Sequence, residues 1–507
     1  MKNHLFLAVL FIGIELSLFS QNSVPVFVQD SLDIYINRAL QDWNIPGVAV
    51  AIVKNGKLVL VKGFGKQSIA RNDKVDENTL FMIGSNTKAF TATLLSWLQY
   101  DKKCSLDDKV VKWLPDFIMK DPWITKELNL TDILCHRIGM ETFQGDFMYW
   151  TSALTKAEVI KKFGELTPLY GFRSKWGYTN AGFLLAGECI QKISNESWES
   201  NIQNRIFVPL QMNRSRAIST EMPLQQNIAA PHTLVLDTLK LLPYPIIDNL
   251  APAGSISSSI SDISHWLICQ LDSGRYNGKL VIPFSVIQET RKPRSVIGNS
   301  QYPFNHSNFS LYGLGWFLTD YEGREIVSHT GGVNGFLTSI TLIPEEKLGV
   351  VIFTNTDYND FYAALRWEIV DAYLNLPYRN YSSLYLADSK KYREGEFSQY
   401  KAQKDTVAMH VKPTTDLKNF AGHYLHPVYG YLDITLSGNQ LKMTFEHHPS
   451  LTGILESLGG NRFLCTYNDP EFGIKAIPFR IENNQVKFLV LRVADFIEFT
   501  EYEFIKQ

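Results

Sequence analysis

The sequence predicts an α/β domain whose antiparallel sheet is assembled from both ends of a long segment, followed by a small all-β barrel or sandwich. Strand-like runs stand at 47–65 and again at 325–355, with a mostly helical stretch between Leu80 and about Leu280. A sheet closed by distant parts of the chain around a helical insertion follows from that order. Half the residues from Asp388 to Asp405 are charged, which marks a solvated linker. Beyond Lys412 the apolar residues alternate with period two, as half-buried strands do.

Taken in order, Lys2 and His4 precede an apolar stretch from Leu5 to Ile14 and from Leu16 to Phe19, broken by Glu15 and closed by small Ser20. This predicts a signal peptide at 1–20, cleaved after Ser20, and a periplasmic or secreted protein. No later run of 18 apolar residues predicts a membrane span. Residues 30–43 have helical spacing, and IPGVAVAIV, Asn55-Gly56 and KLVLVKGFG read as strand, tight turn and strand. Segments 137–153 and 219–250 read as loops, and 359–375 as a helix. The first large domain is placed at 21–380, the linker at 381–412 and the β domain at 413–507. In the last, hairpin turns fall at Ser437-Gly438-Asn439-Gln440 and Glu482-Asn483-Asn484-Gln485.

Composition narrows the function. The 507 residues are 45% hydrophobic and 20% charged, a globular balance that excludes disorder. Forty-nine basic against 51 acidic residues give a net charge of -2, without the basic excess a nucleic-acid partner requires. Cys104, Cys135, Cys189, Cys269 and Cys465 are odd in number and widely spaced, so no disulfide framework, metal pair or redox pair is expected.

Three motifs carry chemistry. Gly84-Ser85-Asn86-Thr87-Lys88 precedes the apolar positions Phe90, Leu94, Leu95 and Leu98, which sets a serine and a lysine on one face of a helix start. The amine can take the serine's proton once its pKa falls from ~10.4 to ~7–8, a shift of about 4 kcal/mol that demands burial. Trp176-Gly177-Tyr178-Thr179-Asn180 opens a second apolar helix and offers a phenol for proton transfer and an amide for a substrate carbonyl. Ser328-His329-Thr330-Gly331-Gly332 lies in the late strand region, where paired glycines allow close approach to backbone amides. A structural account exists for each alone: a helix cap, a core tyrosine, a strand end. S-x-x-K recurs at Ser398–Lys401, and Y-x-N at Tyr373 and Tyr378.

Together, in the order S-x-x-K, Y-x-N and H-x-G at separations of 93 and 151 residues, they resemble the serine β-lactamase and penicillin-recognising superfamily, within it the class C β-lactamase-like serine hydrolases. LTDILCHRIGM, YTNAGFLLAGECI, RIFVPLQM, APAGSISSSISDISHWL and YGLGW extend the likeness over roughly 29–375. The resemblance implies a β-lactamase/transpeptidase-like fold, with Ser85 as acylated nucleophile, Lys88 as its base partner and Tyr178 as second proton-transfer group. It further implies substrate contacts by Asn180, His329, Thr330 and Gly331, and an oxyanion hole from the amides of Ser85 and Gly332. Residues 413–507 resemble the lipocalin-like domain carried by some of these hydrolases.

Two departures stand out. His329 replaces the lysine of the K-T-G found in β-lactamases and carboxypeptidases, and an imidazole of ordinary pKa ~6.5 is mostly neutral at pH 7. Arg137-Ile138 stands where relatives often have Thr-Ser. No metal or cofactor is expected: H-E-x-x-H is absent, His447-His448 lacks zinc spacing, and GFGKQS and GLGWFL hold only two fingerprint glycines. His136, inside LCHRIGM, reads as a structural loop histidine. The expected activity is an acyl-enzyme serine hydrolase acting on small D-residue peptides or carboxylic esters. A β-lactamase or D-alanyl-D-alanine carboxypeptidase is the alternative. A silent acyl-serine sensor, or a carrier with a ligand in its barrel, is the alternative from another class. The partner is a small substrate, and the oligomeric state stays open.

Overall fold

The computed structural model describes residues 24–300 and 304–507. The expected signal peptide lies outside the described residues. Helix α1 (Leu32–Asp42) leads into β1 (Gly47–Lys54) and β2 (Lys57–Gly65), joined by Asn55 and Gly56, both with positive φ. Such a turn matches the right-handed twist of the two strands. After the helical region come β3 (Ser295–Ser300), β4 (Ser307–Tyr312), β5 (Phe317–Tyr321), β6 (Arg324–Val333), β7 (Phe336–Ile343) and β8 (Leu348–Thr354). They form one eight-stranded sheet in the order β2-β1-β8-β7-β6-β5-β4-β3. The first hairpin therefore pairs with the last strand, Val48 opposite Thr354 through Lys54 opposite Leu348.

Period-two burial sets the layers. Val48, Val50 and Ile52 of β1 pack with Ile36 of α1 and Ile369 of α5 (Phe361–Tyr373). Ala49, Ala51 and Val53 face the helical side, in one core with Leu94 and Leu267. Both faces of β1 are thus covered, which is why its sequence is continuously apolar. The helical region is built on α2 (Thr87–Tyr100), α3 (Asn180–Ser194) and α4 (Ile260–Leu271), with shorter helices between. The 219–250 loop contains a hairpin, His232–Val235 with Thr238–Leu241, and the 137–153 loop contains a helical turn at Asp146–Tyr149.

The charged stretch forms α6 (Tyr381–Ala408), whose only buried residues are Tyr381 and Ser382. Its start is bonded to the first domain through Trp43 Nε1 to Ser382 Oγ at 2.9 Å, and Lys404 near its end donates to Glu456 Oε2 at 2.6 Å. Beyond it the chain makes a closed barrel of eight strands. They are β9 (Gly422–His426), β10 (Gly430–Ser437), β11 (Gln440–Phe445), β12 (Thr452–Ser457), β13 (Arg462–Tyr467), β14 (Ile474–Glu482), β15 (Gln485–Leu491) and β16 (Tyr502–Lys506). Each pairs with its sequence neighbour, and β9 closes on β16 at Tyr424–Lys506 and Leu425–Ile505. Closure removes the exposed strand edges of a sandwich. Phe420, Phe463 and Phe479 meet edge-on with centroids 4.9–5.4 Å apart, and Tyr424, Leu441 and Leu489 are fully buried beside that core. Aromatic and aliphatic side chains pack this part of the barrel.

Candidate active site

Ser85 sits in a tight turn, Gly84–Asn86, that runs directly into α2. Gly84 has a φ of 52°, and a Cβ there would stand 2.9 Å from the Gly332 carbonyl oxygen. Only glycine lets this turn rest on β6. Asn86 Nδ2 donates to Thr338 Oγ1 of β7 at 2.8 Å, and Thr338 Oγ1 donates to the Ile83 carbonyl at 2.9 Å. The nucleophile's turn is therefore tied to the strand pair that carries Gly331 and Gly332. β5 last pairs with β6 at Phe317–Ser328, so beyond Ser328 that edge of β6 has no strand beside it.

Lys88 is completely buried. Its Nζ lies 3.0 Å from Ser85 Oγ, 2.6 Å from Asn180 Oδ1 and 2.8 Å from the Ala253 carbonyl oxygen. The last two atoms can only accept. A neutral amine has two N–H groups for them and one lone pair, which is then directed at the serine hydroxyl. Burial holds Lys88 well below the usual lysine range and so favours the neutral amine, against the opposing pull of Asp146. Its Nζ also lies 4.6 Å from the Tyr178 ring centroid and 5.4 Å from that of Phe183.

Tyr178 is buried, and its hydroxyl faces Ser85. Burial raises the phenol's pKa, so it stays protonated and able to donate. Its ring stacks on His136 at 4.3 Å, and His136 Nδ1 accepts from the Thr179 amide at 3.0 Å. His136 thus supports Tyr178 from behind. Arg137 Nε at 2.5 Å and Arg173 Nη2 at 2.7 Å both bond the fully buried Asp132 carboxylate, which fixes the loop that departs from the relatives' pattern.

Asn180 is placed as a link. Its Oδ1 accepts from Lys88, and its Nδ2 donates to Asp146 Oδ2 at 2.5 Å. His329 is also committed on both sides. Nδ1 lies 2.6 Å from the Thr330 carbonyl and so donates there, which leaves Nε2 to accept from the Tyr312 hydroxyl at 3.0 Å. Burial pushes this imidazole down to about 3. The expectation of an ordinary histidine that charges below pH 6.5 is corrected by that environment.

Ser85, Tyr178, Asn180, His329, Thr330 and Gly332 border one cavity of about 270 Å³. Gly331 lies beside it, and a Cβ there would clash with the Ile83 carbonyl. Tyr373 and Tyr378 are elsewhere, Tyr373 near Lys54 and Tyr378 beside Phe27. Sequence reasoning missed half of the cavity's lining: Thr142, Phe143, Asp146 and Trp150 from the 137–153 loop, Phe317 of β5, and Phe496 and Ile497 from the barrel. A further cavity of about 320 Å³ lies across Phe496 and holds the Asp357–Glu471 carboxyl pair, with no serine–lysine pair on its walls. All five cysteines are free. Among the described residues no helix is long and apolar enough to cross a membrane.

A family model described as Beta-lactamase matches residues 32–374. The chain belongs to the beta-lactamase family. Proteins of this family with this fold are serine hydrolases. Residues 408–506 match a second model, a domain of unknown function (DUF3471). The unguisins hydrolase ungD of Aspergillus violaceofuscus is 28% identical over 459 residues, covering 83% of this chain and 79% of that protein. Protein flp of Staphylococcus aureus is 26% identical over 350 residues, covering 64% and 63%. Among solved structures, the octameric penicillin-binding protein homologue from Pyrococcus abyssi has a TM-score of 0.59 at 20% identity, covering 94% of this chain and 99% of that one. This beta-lactamase-family hydrolase shares its overall fold, barrel region included.

Proposed function

We propose that this chain is an exported, metal-free serine hydrolase that works through a Ser85 acyl-enzyme on small neutral substrates, either D-residue peptides or carboxylic esters. The observation that carries this reading is the setting of Lys88: its Nζ is buried within hydrogen-bond reach of Ser85 Oγ and of two atoms that can only accept, so that in the neutral form favoured by burial the lone pair is left for Ser85. As Ser85 Oγ attacks the carbonyl carbon, Lys88 Nζ takes its proton. The oxyanion is held by the amides of Ser85 and Gly332, and Tyr178 gives its proton to the leaving group. The ammonium of Lys88 then returns a proton to the phenolate, and water repeats the sequence on the acyl-enzyme.

The substrate class follows from the walls. Phe143, Trp150, Trp176, Phe317 and Phe496 make the cavity largely aromatic, and among the described residues no lysine or arginine lines it. A substrate carboxylate would enter without a cation to meet it, which disfavours β-lactams and D-alanyl-D-alanine termini. A relative named as a hydrolase over most of the chain supports hydrolysis as the activity. Labelling with a fluorophosphonate, followed by p-nitrophenyl esters, D-amino-acid amides and nitrocefin, tests the reading. Wild type labels and Ser85→Ala does not; labelling that survives in Ser85→Ala refutes the mechanism. Nitrocefin turnover at pH 8 far above that of neutral esters refutes the substrate class.

A further inference from the structure

The barrel grips the loop that carries Asp146. Phe147 inserts among barrel rings, stacked on His448 at 5.1 Å and on Tyr429 at 5.8 Å, with Phe445 and Phe472 at its edges. The Ala153 amide donates to the His447 carbonyl at 2.8 Å, and His448 Nε2 bonds the Trp150 carbonyl at 3.0 Å. At the centre of this grip stands Glu498, completely buried, on the segment between β15 and β16. Its Oε1 accepts from the Gly145 amide at 2.8 Å and its Oε2 from the Phe147 amide at 2.9 Å. The Tyr429 hydroxyl reaches both oxygens at 3.0–3.1 Å, and the Tyr502 hydroxyl bonds Oε1. Four donors from two domains converge on one carboxyl group and fix it in place; burial pushes Glu498 up to about 7, and the four hydrogen bonds pull back toward the carboxylate.

The amides it holds flank Asp146, and from Asp146 the bonds run on to Asn180 and from Asn180 to Lys88. We propose that Glu498 is a positioning residue for catalysis, through which the barrel sets Asp146 against Asn180 and so aims the Lys88 amine at Ser85. This rests on the reading of Ser85 and Lys88 given above. Without the carboxylate, two buried amides lose their acceptor and the 145–147 turn is free to relax, moving Asp146 away from Asn180.

The charges act in the same direction as the geometry. Ionisable groups facing Glu498 are Asp146 and Tyr149 from the hydrolase domain and Tyr429 and Tyr502 from the barrel. Burial first, then the negative charge of Glu498, hold the Asp146 carboxyl well above its ordinary value. Removing that charge favours ionised Asp146, which stabilises the ammonium form of Lys88. The free base would then appear only at higher pH.

The experiment is the rate of fluorophosphonate acylation against pH, on the full chain, for wild type, Glu498→Gln, Asp146→Asn and the double variant, with melting temperature as a check of folding. Ser85→Ala is run in parallel. Glu498→Gln is expected to fold, to acylate tenfold or more slowly at neutral pH, and to have its profile displaced to higher pH. Its effect should largely vanish in the Asp146→Asn background, because both act along one path. A folded Glu498→Gln with an unmoved profile, or effects that simply multiply in the double variant, would overturn the proposal while loss of labelling in Ser85→Ala leaves the mechanism standing. Labelling that survives in Ser85→Ala would instead remove the mechanism itself. Should Glu498→Gln not fold, Tyr502→Phe decides. It deletes one donor and keeps the carboxylate, and an unmoved profile in that variant likewise overturns the proposal.

Discussion

The helix start carrying Lys88 and the strand carrying His329 meet at one cavity, and each presents a buried basic residue held below its ordinary pKa. Burial treats them alike, and hydrogen bonding separates them. Lys88 lies against two pure acceptors, so its neutral form has a lone pair left for Ser85, 3.0 Å away. His329 donates to the Thr330 carbonyl and accepts from Tyr312, so neither of its nitrogens is left for a proton or a substrate. Desolvation therefore makes a group neutral, but the count of partners decides whether the neutral group can act as a base.

The most direct way to break this comparison is to remove the free lone pair. Lys88→Ala leaves Ser85 without a base, and fluorophosphonate acylation should fall by about 10²–10⁴ at neutral pH. Should His329→Ala lower acylation as far as Lys88→Ala does, the two residues would not be divided as the bonding implies.

A smaller effect comes from giving the β6 side a cation. A unit charge ~4 Å from a substrate carboxylate contributes on the order of 4 kcal/mol at an effective dielectric near 20, before desolvation. Much of that is lost to burying the new ammonium. About 1.4 kcal/mol is enough for a tenfold change. His329→Lys should therefore shift the ratio of rates, carboxylate-bearing over neutral substrate, at least tenfold upward; competition assays with paired esters read it directly. An unchanged ratio would mean that the cavity orients substrates without regard to this position.

Smaller still is the expected effect of the barrel's wall. The Phe496 ring would lie 3.3 Å from a Cβ at Gly332 and separates the active-site cavity from the one holding Asp357 and Glu471. Phe496→Ala joins the two spaces. Apparent KM for acetyl esters should rise several-fold, while esters with longer acyl chains gain. Equal change across chain lengths would remove Phe496 from specificity.

These contrasts also show what local pattern can and cannot reveal. The hairpin at 47–65, the late strands and the alternating C-terminal segment were legible because period-two burial is written residue by residue. Ser85, Lys88, Tyr178 and His329 were legible as motifs, each compact along the chain. Asp146 was not, because it sits in a segment that reads only as a loop and acquires its environment from Asn180, 34 residues on, and Glu498, 352 residues on. Phe496 and Glu498 lie between the last two strands of the barrel, where no pattern of their own announces a contact with another domain. The environment of His329 was hidden for the same reason: its residue type was plain, but Tyr312, which occupies its Nε2, and the packing that buries it come from other elements.

The smallest predicted effect is none, and it is informative. With an ordinary pKa, His329 would charge as pH falls through 6.5, and carboxylate-bearing substrates would gain on neutral ones. Held at about 3, it stays neutral throughout the working range. The ratio of kcat/KM for a carboxylate-bearing over a neutral ester should therefore be flat from pH 8 to pH 5. Stability is a poorer readout of the same group. A buried neutral histidine makes the folded state less stable as pH falls below ~6.5, since the unfolded chain binds the extra proton. Asp146 and Glu498, with carboxyls held up by burial, act oppositely: they remove stability as pH rises above ~4, and the two slopes overlap. The substrate ratio is the cleaner measure, because the ionisation of Lys88 slows both esters together and cancels. Tyr312→Phe supplies the control. It takes the donor from Nε2 while leaving the ring in place, which makes protonation easier, so a rise in the ratio at low pH should appear in this variant and not in wild type. A ratio that rises near pH 6.5 in wild type would mean that water or substrate reaches His329, and that the Tyr312 bond does not hold it neutral.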